Sequence, residues 1–226
     1  MTSHESTKAA DDGSAAFVVP ASTAGGPAAG DAPAGSVPGE RDLEAEPPVQ
    51  GLGPDWTRGP DGLLHRRGAR VILLDEHDRV LLIRGHDLDQ PERSWWFVVG
   101  GGIDEGESAL DAAVREVREE TGIELAADEV LGPVFTRSAI FDFFREHCRQ
   151  DEEIFLARVP SSSFVVEDRS RWTTLEQDVI DELRWWTLAE LALVEIEVFP
   201  EGLATLVESL LPQWDGVTRH LGLARE

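Results

Sequence analysis

Apolar residues are sparse and unpatterned up to about residue 58, then fall into alternating and helical rhythms for the rest of the chain. The first stretch is Ala, Gly, Pro, Ser and acids, as in ASTAGGPAAGDAPAGSVPGE (21–40), which cannot bury enough apolar surface to offset its ordering entropy. The pattern predicts a disordered tail over 1–58 and a folded domain over 59–226, with order beginning near Leu63. RRGARVILLDEHDRVLLIRG (66–85) reads as two apolar strands about a polar turn at 76–78, a β-hairpin. SWWFVV (94–99) reads as a third strand that ends at a glycine loop. Ser108 then stands as an N-cap with Asp111 as its capping-box partner, and Gly122 sits where a helix C′ residue belongs. A helix is therefore predicted over 109–121. Further strands are predicted at 130–138, 139–147, 153–159 and 183–186. Thr187 and Glu190 cap a helix over LAELALVE (188–195), and a last helix covers 201–211. Helices interspersed among antiparallel and mixed strands imply an α/β fold, a sheet covered by helices on both faces.

On the helix over 109–121, the 3.6-residue turn places Leu110, Val114, Val117 and Thr121 on one stripe, the face expected against the sheet. Glu116, Glu119 and Glu120 stand at i, i+3 and i+4 and project together, on the flank of that stripe beside Ala113. Arg115 is four residues before Glu119 and can pair with it. Like charges at this spacing repel by a few tenths of a kcal/mol per pair, which a bound cation would offset. An oxygen-only ligand set suits Mg²⁺ or Mn²⁺, hard cations that also bridge phosphate oxygens. The preceding glycines let backbone approach a ligand closely. The plainer reading is a solvated helix decorated with salt bridges.

Composition narrows the ligand. The chain has 226 residues and a formal net charge of −24, which argues against an extended nucleic-acid partner or an anionic membrane surface. A small phosphorylated ligand carried by a divalent metal is compatible with it. The single cysteine, Cys148, leaves no intrachain disulfide and no cysteine-based zinc cluster. With no membrane-length apolar run and no signal-like start, the expected setting is cytoplasmic.

Gly101, Glu107, Arg115, Glu116, Val117, Glu119, Glu120, Gly122 and Ile123 match the pattern G-x5-E-x7-R-E-U-x-E-E-x-G-U, with U aliphatic, at every defined position. This stretch resembles the Nudix box, and the element order over about 66–211 resembles a whole Nudix domain more loosely. The resemblance implies a Nudix-type α/β/α sandwich with a mixed sheet, hydrolysing nucleoside diphosphates linked to another moiety. It implies that Glu116, Glu119 and Glu120 hold Mg²⁺ or Mn²⁺, helped by a backbone carbonyl of the glycine loop such as that of Gly101. Arg115 would orient the glutamates, while Glu107 and Gly122 support the loop and helix. Val99 stands where many members have proline, a departure that bears on loop rigidity. Members often draw a general base from a downstream loop or strand. Glu153 and the acids of EQDVIDE (176–182) are the candidates, with Glu153 preferred.

For the substrate, Arg84 and Arg137 are candidate phosphate contacts, and Trp95, Trp96, Phe141, Phe143 and Phe144 candidate stacking partners. The tyrosine of dinucleoside polyphosphate hydrolases is missing, so nucleoside triphosphates and nucleotide sugars stay open. The expected partners are a small nucleotide-type substrate and, at most, a second copy in a homodimer. The rival readings are a catalytically silent nucleotide-binding or regulatory module and a prenyl diphosphate isomerase, which needs a catalytic cysteine.

Overall fold

The computed structural model describes residues 53, 55–88, 90–143, 146–164 and 172–226. The tail expected over 1–58 lies outside them except for its last residues, and Phe144 lies outside them too. Among the described residues nine strands form one mixed sheet: β1 (Thr57–Arg58), β2 (Leu64–Leu74), β3 (Val80–His86), β4 (Ser94–Gly102), β5 (Leu131–Phe143), β6 (Glu146–Arg158), β7 (Ile180–Trp186), β8 (Glu197–Phe199) and β9 (Arg219–Arg225). Its order is β7-β3-β4-β2-β6-β5-β9, with β1 beside β2 and β8 beside β4. The helices are α1 (Ala109–Thr121), α2 (Thr174–Val179), α3 (Leu188–Leu191) and α4 (Leu203–Glu208).

Alternation along the strands makes two cores. Ala69, Val71, Leu73, Leu81, Ile83 and Val99 pack with Ala112, Ala113 and Val117 of α1. Ile72, Leu74, Leu82, Val98 and Leu156, whose side chains point to the opposite face, pack with Leu191 of α3 and Leu203 and Val207 of α4. The sheet is thus sandwiched between helices, as the pattern predicts.

Several expectations are corrected. The strands of 66–85 flank the expected turn, but they pair only at Leu74↔Val80. The third strand, β4, inserts between them, because both β2 and β3 are long apolar strands able to take a partner on each edge. The glycines at 100–102 form the end of β4, not a loop, with Ala69↔Gly101 and Gly68↔Gly102 in register. The strands expected at 130–138 and 139–147 are largely one strand, β5, since alternation passes through Ser138 and Ala139 without a turn residue. The helices after Thr187 and Pro200 are shorter than expected, and β9 had no counterpart in the sequence pattern. Order also starts earlier than Leu63: Trp56 is buried with Leu64 and Cys148, and β1 pairs with β2.

Candidate active site

Helix α1 is set at both ends by its caps. The Ser108 hydroxyl accepts from the Asp111 N–H and donates to the Asp111 carboxylate, which replaces the reciprocal capping box. Gly122 takes the left-handed conformation at φ 72°. Between them Arg115 fans across the start of the site. Its guanidinium donates to both oxygens of Glu107 (2.9 Å each), to the Gly102 carbonyl (2.9 Å), to Glu116 (2.7 Å) and to Glu119 (3.1 Å). Glu107 also accepts from the Asp104 N–H at 3.1 Å. The Arg115 hydrogen bonds hold the Glu107 carboxyl below its usual range and push the Arg115 guanidinium up.

The buried face of α1 is rotated from the expected stripe: Ala112, Ala113, Glu116, Val117, Glu120 and Thr121 are buried, and Leu110 and Val114 only partly so. Two of the three box glutamates therefore face inward instead of lying on the flank. Glu120 accepts the Gly100 N–H at 2.7 Å. A side chain at Gly101 would place its Cβ 2.7–2.8 Å from the Glu116 carboxylate, so only glycine leaves these oxygens room. The Gly100 carbonyl is taken by Arg70 at 2.5 Å and the Gly102 carbonyl by Arg115. Among the described residues no side chain donates to the Gly101 carbonyl.

A third carboxylate closes the group. Glu176, in the first turn of α2, brings an oxygen within 4.8 Å of oxygens of Glu116 and Glu120. Its other partner is the Thr173 N–H at 2.6 Å, in a reciprocal capping box that fixes the start of α2. Trp172 ties that start to α1, its indole N–H donating to the Glu120 main-chain carbonyl at 3.2 Å. Burial pushes the Glu116 carboxyl up to about 6, with Arg115 opposing. Burial, then the neighbouring Glu116, pushes Glu120 well above the usual carboxylate range. Three converging oxygen donors, two of them poorly solvated as anions, fit a hard divalent cation. Asp75, Glu76 and His77 also stand together, but that group closes a turn. Asp75 accepts from the His77 and Arg79 N–H groups and from the Arg79 side chain, and Glu76 accepts from Ser161.

Beside this group lies a cleft that opens to solvent at its mouth. Trp56, Trp95, Phe97, Phe141 and Phe143 supply apolar wall, and Arg66, Arg70, Arg137, Gln150 and Glu152 also line it. Arg70 belongs to both places, since it holds Gly100 at the carboxylates and Glu152 (3.0 Å) in the cleft.

The model of the NUDIX domain matches residues 64–207, more than half of the chain. The chain belongs to the Nudix family. A putative 8-oxo-dGTP diphosphatase of Bacillus subtilis is 41% identical over 69 residues, which are 30% of this chain and 43% of that protein. Nudix hydrolase 5 of Arabidopsis thaliana is 26% identical over 135 residues, 55% of this chain and 43% of the relative. The chain thus spans less than half the length of these curated relatives. Among solved structures, a MutT protein of Bacillus halodurans is 21% identical with a TM-score of 0.46, covering 69% of this chain and 89% of its own.

The Nudix helix carries the expected residues to different places. Glu116 and Glu120 meet. Glu119 is turned to Arg115, its side chain 34% exposed, and stands outside the cluster. Glu153 shares a register row with Ala69 but gives its carboxylate to Arg67 at 3.2 Å, so it does not join the group. Arg137 lines the cleft, whereas Arg84 lies near Asp181 and Ser94 outside its wall. Of the acids at 176–182, Glu176 is the one that reaches the site, a position the capping box Thr173–Glu176 could have signalled. Arg66 and Arg70 were also missed. Their signal was two cations four residues apart, hence on one face of β2.

Proposed function

We propose that this Nudix domain is a metal-dependent pyrophosphohydrolase cleaving a nucleoside diphosphate linked to another moiety, of the nucleoside triphosphate or nucleotide sugar type. The observation that carries the reading is the convergence of Glu116, Glu120 and Glu176 beside an aromatic-walled cleft. The relatives favour the triphosphate. One is named for 8-oxo-dGTP, and another, 34% identical over 74 residues, is the dihydroneopterin triphosphate diphosphatase of Escherichia coli.

In this reading Glu116, Glu120 and Glu176 hold Mg²⁺ or Mn²⁺, and Glu119 joins them only by leaving Arg115. When bound, the metal supplies charge neutralisation at the phosphates and a more acidic water. The chain's own groups do the rest. Arg115 keeps Glu116 oriented, the Gly100 N–H fixes one oxygen of Glu120, and the Gly101 carbonyl adds a neutral donor. Glu176 completes the donor set, its second oxygen held by the Thr173 N–H. Arg70 donates to the Gly100 carbonyl and so steadies the strand end whose N–H holds Glu120.

The test is a panel of nucleoside di- and triphosphates, nucleotide sugars and ADP-ribose, assayed for phosphate or pyrophosphate release with Mg²⁺, Mn²⁺ or EDTA. Turnover of at least one class that stops in EDTA is expected. Nucleotide binding without turnover under either metal would establish the silent binding module instead.

A further inference from the structure

The cleft's hydrogen-bonding groups are unevenly spent. Glu152 uses both oxygens, one on Arg70 Nε (3.0 Å) and Gln150 Nε2 (2.5 Å), the other on Arg137 Nε (2.5 Å). Gln150 Oε1 accepts from Arg66 Nε at 2.7 Å. Glu226 accepts from Arg137 Nη1 through Oε1. Arg66 Nη1 reaches Asp55, and Arg70 Nη1 goes to the Val98 and Gly100 carbonyls. In each of these three arginines Nη2 makes no hydrogen bond among the described residues. Three donor groups are left over, against two spare carboxylate oxygens, Oε2 of Glu226 and Oδ2 of the largely exposed Asp142.

Spare donors call for acceptors on the ligand, and two kinds offer them. A phosphate would bring net negative charge. Yet Arg66, Arg70, Arg93 and Arg137 are already matched by Asp55, Glu152, Glu197 and Glu226, so no net positive charge remains to receive it. A neutral ring with oxo and ring-nitrogen acceptors needs donors without net charge, and its faces suit the Trp95, Phe97, Phe141 and Phe143 wall. The same logic makes a guanidinium the usual partner of the O6 and N7 edge of guanine. Adenine presents an amino donor where the 6-oxo group would stand, and against these guanidiniums it would oppose donor to donor. Cytosine has the same defect.

We propose that this cleft is a base subsite selective for 6-oxopurines, with the Nη2 groups of Arg70 and Arg137 donating to the oxo edge and Trp95 forming part of the stacking wall. The inference rests on the nucleotide reading above, since it sends the phosphates toward Glu116, Glu120 and Glu176. Its test is independent of turnover: calorimetric binding of GMP, IMP, AMP, CMP and ribose 5-phosphate to the full chain in EDTA. GMP and IMP, which share the 6-oxo group and differ in the 2-amino group, are expected to bind alike. Both should bind about tenfold or more tighter than AMP and CMP. Trp95→Ala is expected to weaken GMP and AMP together. AMP binding as tightly as GMP and IMP would overturn the 6-oxo assignment. Ribose 5-phosphate matching GMP would make the cleft a phosphate site, and GMP affinity untouched by Trp95→Ala would take the base out of it. Because no bond is cleaved in EDTA, a silent turnover panel and a failed base preference are separate results.

Discussion

Glu116 and Glu120 are both buried on α1, at 6% and 4% exposure. The helical wheel left them on the flank because it weighted Leu110 and Val114. The pattern of charges revealed that an acidic cluster exists, but not that the fold would bury it. Burial raises the Glu116 carboxyl from 4.5 to about 6, so the folded protein binds its proton more tightly than the unfolded chain. Stability is therefore lost as pH rises from about 4.5 through about 6, and the loss persists above that. A shift of this size is worth on the order of 2 kcal/mol. Glu116→Gln removes the titration, so its metal-free stability should equal wild type near pH 4 and exceed it by about that amount at pH 7. Parallel urea melts at both pH values in EDTA measure the difference, and an equal gap at the two values would contradict the burial argument. Catalysis should move the other way. A neutral amide is a poor ligand for a hard cation, and losing about 3 kcal/mol of transition-state stabilisation slows a reaction roughly a hundredfold. Glu120→Gln should lose at least that in kcat, and Glu119→Gln less, because Glu119 is occupied by Arg115. Equal losses in the two variants would place Glu119 in the donor set.

At the scale of elements, α1 was legible to the residue. Its caps and glutamate spacing are local signals, and the observed helix spans the predicted 109–121. The longer central strands were legible for the same reason, through runs of Val, Ile, Leu and Phe, whereas the short or polar strands β1, β8 and β9 were not. Pairing was not: whether β3 closes a hairpin with β2 or lets β4 in between depends on partners far along the chain. The element that completes the site, α2, has only six residues and no apolar periodicity long enough to read. Its C-terminal end is fixed by Val179 packed against the core and by the pairing of β7 with β3, and its start is tied to α1 by the buried Trp172 indole on the Glu120 carbonyl. Trp172→Phe keeps an aromatic ring in the core and removes that donor. It should cost roughly 1 kcal/mol of stability, while weakening Mn²⁺ binding by releasing Glu176 from register with Glu116 and Glu120. Titration of Mn²⁺ followed by electron paramagnetic resonance reads the affinity directly. An unchanged Mn²⁺ affinity would mean that Glu176 is placed without help from Trp172, or takes no part in holding the ion.

For the molecule as a whole, composition marked the start of order too late. Residues 1–58 read as one uniform stretch because a single tryptophan in a Gly- and Pro-rich segment carries no periodicity. In the fold that tryptophan is 7% exposed. It meets Phe141 edge to face at 6.3 Å between centroids and carries the Arg66 guanidinium over its ring at 4.5 Å. Asp55 beside it pairs with Arg66 at 3.4 Å. The residues just before β2 therefore support both the edge of the sheet and one wall of the cleft. Two truncations separate this from the compositional reading. Removing residues 1–50 leaves every one of these contacts in place and should change neither Tm nor the affinity for a nucleotide ligand. Removing residues 1–58 deletes Trp56, Asp55 and β1. Loss of a buried aromatic costs roughly 3–5 kcal/mol, and at this size each kcal/mol lowers Tm by roughly 2–4 °C. The longer deletion should thus melt about 10 °C lower or more, and Trp56→Ala in the full chain should reproduce most of that fall. Arg66 would lose both its stacking surface and its Asp55 partner, so GMP binding should weaken with it, even at temperatures where the variant is fully folded. A 59–226 fragment with unchanged Tm and unchanged GMP affinity would return the domain boundary to residue 59 and remove Trp56 from the cleft.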